Sequence, residues 1–90
     1  MPFRQVTIIG TGLIGGSIGL ALKKRHLAGR IVGCDRAPVL ERAQDCGAIE
    51  AGSTNPADAV RGSELVVLAT PVISILDLVG RLGPAMLAKT

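Results

Sequence analysis

The sequence predicts an α/β fold, a parallel sheet wound on both faces by helices, and three observations carry that expectation. Short apolar runs alternate with segments of helical period along the chain, the order that builds a parallel sheet with right-handed crossovers. Gly10, Gly12 and Gly15 fall between the first apolar run and the first helical one. An acid, Asp35, closes the second apolar run twenty positions after Gly15.

The first strand is expected from Gln5 to Ile9, apolar on both faces as a covered parallel strand requires. The glycines then turn the chain. The first permits a sharp turn, the second lets a diphosphate approach the backbone, and the third lets the following helix pack against the strand. That helix is expected over Leu13 to His26, with Ile14, Ile18, Ala21 and Leu22 along one face. Its free N–H groups and dipole attract phosphate. Glycine is common here, 12 of 90 residues, so the spacing alone is weak and its setting decides. Gly15, Gly16 and Gly19 together cost a helix about 3 kcal/mol relative to alanine. A helix that keeps them is expected to approach a strand or a ligand closely.

Ala28-Gly29 is expected to close the helix, with Gly29 as its C-terminal cap. The second strand follows over Arg30 to Cys34. Asp35 ends it where a carboxylate grips the adenosine ribose of a dinucleotide, so the sheet is read as the Rossmann type. A turn through Arg36 leads to a second helix, Pro38 to Asp45, stopped by Gly47. Ala48 to Ala51 reads as a short third strand before a Gly52-Ser53-Thr54 turn. Asn55-Pro56 is an N-cap with proline at the first helical position, opening a helix to about Arg61. Glu64 to Ala69 is the fourth strand, ended by Thr70-Pro71, and a further helix is expected over Val72 to Arg81.

Ninety residues allow one small domain, and 48% apolar content supplies a core. The single aromatic, Phe3, argues against a base-stacking surface, and no nucleic-acid partner is expected. The net charge of +3 gathers at Lys23, Lys24, Arg25 and Arg30, where cations complement a helix C-terminus. No apolar run reaches membrane-spanning length, and with the first strand expected within a few residues of Met1 no signal peptide is expected. Cys34 and Cys46 lack metal-ligand or CxxC spacing, so no metal is expected and a reducing cytoplasm fits.

The candidate cofactor site therefore comprises Gly10, Thr11, Gly12, Leu13, Ile14 and Gly15, with Asp35 and Arg36 after the second strand and Thr70 and Pro71 after the fourth. Asp35 favours NAD, because a carboxylate bonds the free ribose hydroxyls and repels a 2′-phosphate. Arg36 leaves NADP open, since its guanidinium meets a phosphate or stacks on adenine, or is simply a solvated turn residue. No catalytic residue is expected. His26, the only histidine, lies thirteen residues beyond Leu13, about 20 Å away along a helix. Ser17 is expected to bond locally, and Ser74 and Asp77 share a helix face without a partner base.

Several stretches resemble the nucleotide-binding half of prephenate/arogenate dehydrogenases. They are Ile8 to Ser17, Gly19 to Lys23, Val32 to Arg36 and Glu64 to Val72, and the resemblance covers Val6 to Pro84. It implies an oxidoreductase of tyrosine biosynthesis, in which NAD(P)+ oxidises prephenate with loss of carbon dioxide to 4-hydroxyphenylpyruvate, or arogenate to tyrosine. It also implies that residues 1–90 form the N-terminal portion of the dinucleotide-binding domain. The family's catalytic histidine, its later strands and its substrate-binding and dimerising domain lie beyond this length. The chain by itself is then expected to be inactive, and the parent to be a homodimer. Two other readings stay open. One is another oxidoreductase, a hydroxyacid dehydrogenase or an imine reductase. The other is a non-enzymatic nucleotide-sensing domain, which shares the glycine turn and the acid. A methyltransferase fits less well, because the helix opens at the third glycine. In the strand order 3-2-1-4-5-6 the fourth strand is interior; with no fifth strand, Leu65 to Leu68 would form an apolar edge, and ninety residues alone are expected to self-associate through it or to swap between chains.

Overall fold

The structure, a computed structural model, describes residues 2–69. Four strands and three helices alternate: β1 (Phe3–Ile9), α1 (Leu13–Lys24), β2 (Ala28–Cys34), α2 (Ala37–Asp45), β3 (Ala51–Ser53), α3 (Pro56–Val60) and β4 (Leu65–Leu68). The strands form one sheet in the order β3-β2-β1-β4, with every pairing parallel. The expected doubly wound α/β sheet is therefore present. β1 lies between β2 and β4, which explains why Val6, Thr7, Ile8 and Ile9 are all buried.

Alternation along β1 sends side chains to two cores. Val6 and Ile8 join Ile31, Leu40, Ala43 and Ile49 beneath α1 and α2. Ile9 joins Val32, Cys34, Ala59 and Val60 beneath α3. Thr7 also faces α3, where its Oγ1 donates to the Ala59 carbonyl at 2.7 Å and meets the Ser63 hydroxyl. That buried polar contact fixes how α3 sits on the sheet.

The sheet-facing stripe of α1 differs from expectation. Ile14 is 70% exposed, whereas Gly15 and Gly19 are buried and Ile18 and Leu22 pack on the core. Two glycines bring the helix backbone itself against the sheet, and this rotates the stripe away from Ile14. A Cβ on Gly19 would stand 2.5 Å from the Ala48 carbonyl oxygen.

The helix also ends earlier, at Lys24, and Gly29 does not cap it, since β2 already begins at Ala28. His26 supplies the left-handed residue, at φ 55°. The His26 N–H donates to the Lys23 carbonyl and the Leu27 N–H to that of Leu22, which closes a Schellman motif without glycine. α2 closes in the same manner with Gly47 at φ 82°, as its sequence leads one to expect.

That second closure displaces the third strand. The Ala48 N–H is committed to the Ala43 carbonyl, so Ala48 and Ile49 enter the core as a linker and pairing starts at Ala51. The residues Gly52 and Ser53, read as a turn, belong to β3. Asn55 caps α3 as expected, its side-chain oxygen accepting from the N–H groups of Ala57 and Asp58. The helix expected over Val72 to Arg81 lies outside the described residues. Among the described residues no helix is long and apolar enough to cross a membrane.

Candidate dinucleotide site

The site forms where β1 and β2 end side by side. Gly10 leaves β1 at φ 92°, a conformation open to glycine at little cost, and its N–H donates to the Cys34 carbonyl at 2.8 Å. Thr11 is buried against β2. A Cβ on Gly33 would meet its methyl group at 2.6 Å, so the strand needs glycine beneath it. The Thr11 N–H donates to Asp35 Oδ2 at 2.9 Å. Its Oγ1 is buried without a hydrogen-bond partner among the described residues.

Gly12 is the N-cap of α1 and has no side chain with which to cap it. No acidic residue lies in the first turn either. Among the described residues the N–H groups of Leu13, Ile14 and Gly15 thus lack both an intrahelical partner and a capping side chain. A Cβ on Gly12 would meet nothing within 4 Å among the described residues, which leaves the helix mouth open to an anion. Gly15 has the opposite setting. A Cβ there would lie 2.9 Å from the Gly10 carbonyl carbon, closer still to its oxygen, and 3.1 Å from Ile8 Cγ2. One glycine keeps the helix against the strand, and another keeps its mouth clear.

Asp35 follows β2. Its second oxygen, Oδ1, accepts from the Arg36 N–H at 2.8 Å, and Arg36 is the exposed N-cap of α2. The carboxylate therefore spans the starts of α1 and α2. A cleft of about 380 Å³ opens between the two helices, lined by Thr11, Gly12, Leu13, Gly16, Val39 and Arg42 among others. Leu13 is 90% exposed beside it. At the end of β2, burial and secondarily the Asp35 charge push the Cys34 thiol up from its ordinary value. Cys34 and Cys46 are both free thiols.

The structure thus brings Gly10 to Gly15 and Asp35-Arg36 together at one end of the sheet. Thr70 and Pro71 lie outside the described residues. Ala69, just before them, donates its N–H to the Ile9 carbonyl at 2.9 Å, next to the glycine turn. Ser17 donates to the Leu13 carbonyl, a local bond as expected. His26 stands beyond the far end of α1. Sequence reasoning missed the tether from Asp35 to Thr11 and the requirement for Gly33. A glycine inside a strand pattern was the available signal for the latter, since it often marks a close approach. Among the described residues no cluster of His, Cys, Asp or Glu could hold a metal ion.

The family described as prephenate dehydrogenase, nucleotide-binding domain, matches residues 18–90. A prephenate dehydrogenase of Lactococcus lactis subsp. cremoris (strain MG1363) is 35% identical over 83 residues, covering 89% of this chain and 22% of that protein. One from Bacillus subtilis (strain 168) is 36% identical over 79 residues, covering 87% and 21%. The chain thus spans about a fifth of the length of these relatives. A crystal structure of prephenate dehydrogenase from A. aeolicus, in complex with hydroxyphenyl propionate and NAD+, superposes with a TM-score of 0.84 at 28% identity. That superposition covers 96% of this chain and 31% of the other. With its fold, its glycine turn and these likenesses, the chain belongs to the prephenate dehydrogenase family, through that family's nucleotide-binding domain.

Proposed function

We propose that this chain is the N-terminal part of the NAD-binding domain of a prephenate or arogenate dehydrogenase. The observation that carries this reading is the uncapped mouth of α1, open at Gly12, with the Asp35 carboxylate beside it. These groups fit the cofactor. The N–H groups at the start of α1 hold the diphosphate, and the helix dipole favours its charge. Asp35 takes the adenosine-ribose hydroxyls, and its charge disfavours a 2′-phosphate, so NAD is preferred over NADP. Arg36, exposed next to it, covers the adenosine end. Thr70 and Pro71, next in sequence after β4, are assigned to the ribose side of the site on their sequence position alone.

Bound there, the nicotinamide supplies a hydride acceptor for the oxidation that accompanies decarboxylation of prephenate to 4-hydroxyphenylpyruvate. This segment's own contribution is to bind and orient. Leu13 and Ile14 present apolar surface at the helix mouth and limit water there. The catalytic base, the substrate contacts and the homodimer interface belong to the rest of the protein, whose place is tyrosine biosynthesis in the cytoplasm.

Prephenate-dependent reduction of NAD+ by the full-length protein tests this reading. Absorbance at the reduced nicotinamide band should rise only when prephenate or arogenate is present. Turnover of 2-hydroxy acids or cyclic imines with no response to prephenate would move the chain to another oxidoreductase. Binding of NAD+ with no turnover of any of these would favour a sensing role.

A further inference from the structure

We infer that Asp35 also acts as a positioning residue, one that holds the diphosphate loop in shape before any ligand arrives. The inference rests on the dinucleotide reading and extends it from the ribose to the other half of the cofactor. The loop from Gly10 to Gly12 has two bonds to the end of β2. One is the backbone bond from Gly10 N–H to the Cys34 carbonyl. The other is the bond from Thr11 N–H to Asp35 Oδ2 at 2.9 Å, made by a side chain. The same carboxylate is braced from behind by the Arg36 N–H on Oδ1 at 2.8 Å. Because Arg36 is the N-cap of α2, the brace ties the loop to the start of a second helix.

Acceptor capacity makes the two roles compatible. An ionised carboxylate offers about four acceptor positions. Backbone N–H groups occupy two of them here, one on each oxygen. Two remain, one on each oxygen, which suits a pair of neighbouring ribose hydroxyls. The ribose and diphosphate ends of the ligand are therefore coupled through one side chain. Charge-assisted bonds of this kind are among the stronger ones, so their loss should loosen the loop. It follows that exchanging NAD for NADP by neutralising position 35 weakens diphosphate binding as well as removing the ribose contact.

A nucleotide without ribose hydroxyls separates the two roles. ADP and 2′,3′-dideoxyadenosine diphosphate would be titrated into the full chain as wild type, Asp35→Ala and Asp35→Asn. Hydrogen exchange at the Thr11 amide would be measured on the same proteins without ligand. If Asp35 positions the loop, Asp35→Ala lowers affinity for the dideoxy compound about tenfold, the effect of one charge-assisted bond. Asp35→Asn retains one acceptor oxygen and recovers part of that loss. The Thr11 amide is protected in the wild type and exchanges faster in Asp35→Ala. Unchanged affinity for the dideoxy compound in both variants would overturn the inference and leave Asp35 a ribose contact alone. Equally fast Thr11 exchange in wild type and variants would overturn it too. Should Asp35→Ala fail to fold, Asp35→Asn carries the comparison. Failure of the wild type to bind ADP would instead count against the dinucleotide reading, while Thr11 exchange would still decide whether the carboxylate orders the loop.

Discussion

Gly15→Ala and Gly16→Ala differ by one position and should have opposite effects. Alanine gains about 1 kcal/mol over glycine in a helix interior. At Gly16 the added Cβ stands 3.6 Å from the Thr11 carbonyl oxygen, an ordinary contact, so Gly16→Ala keeps most of that gain. At Gly15 the same atom would sit 2.9 Å from the Gly10 carbonyl carbon and 3.1 Å from Ile8 Cγ2. Relaxed carbon contacts are about 3.5–4.0 Å, so the helix must withdraw by at least about 0.6 Å, and further to clear the carbonyl oxygen. Withdrawal loosens Ile18 and Leu22 from the core and moves the loop that follows β1. Overpacking of this kind costs about 1–3 kcal/mol. Both variants share the propensity gain, so they differ by the overpacking cost alone, which a clash with a backbone carbonyl puts at about 2–3 kcal/mol, with Gly15→Ala the less stable. For a domain of this size that is at least about 8 °C in Tm. Denaturant midpoints at constant slope, with melting temperatures beside them, provide the assay. Equal stability, or a more stable Gly15→Ala, would refute the close approach of α1 to β1.

Gly12→Ala should separate folding from binding. Its Cβ meets nothing within 4 Å among the described residues, so stability should shift by less than about 1 kcal/mol, while calorimetry should show NAD+ affinity reduced at least about tenfold. Raising pH should test the Cys34 environment. The buried thiol stays protonated in the folded chain after it ionises in the unfolded one, so stability should fall as pH climbs past 9.0. In Cys34→Ala, denaturant midpoints across that range should fall less, and a thiol reagent at neutral pH should label exposed Cys46 well before Cys34. β4 pairs with β1 along one edge, and no strand lies beside its other edge among the described residues. The isolated 90-residue chain should therefore self-associate, and a monodisperse monomer in concentrated sedimentation runs would contradict this.

The glycine turn and the alternation of strands and helices were legible from local patterns, and the strand order followed from the doubly wound fold that those patterns imply. Asn55-Pro56 and Gly47 were equally readable, since cap chemistry is confined to a few neighbouring residues. Ile14 was misread because apolar periodicity assumes that side chains face the sheet, whereas Gly15 and Gly19 put backbone there. The end of α1 was misread because His26 took a left-handed conformation that glycine usually holds, so Gly29 drew the expectation too far along. Ala48 and Ile49 carried a strand-like signal for a different reason. They are buried as a linker, and burial by itself does not say whether the backbone is paired. In the site, the chemistry of Asp35 was evident from its position after β2. Its bond to Thr11 was not, because it joins residues 24 positions apart and exists only once β1 and β2 lie in register.

Diffraction from crystals of the full chain soaked with NAD+ tests the central claim most directly. The diphosphate oxygens should lie about 2.7–3.2 Å from N–H groups among Leu13, Ile14 and Gly15, with the adenosine-ribose hydroxyls on Asp35. A dinucleotide whose diphosphate sits away from the start of α1, or a well-folded full chain that does not bind NAD+, would contradict the claim.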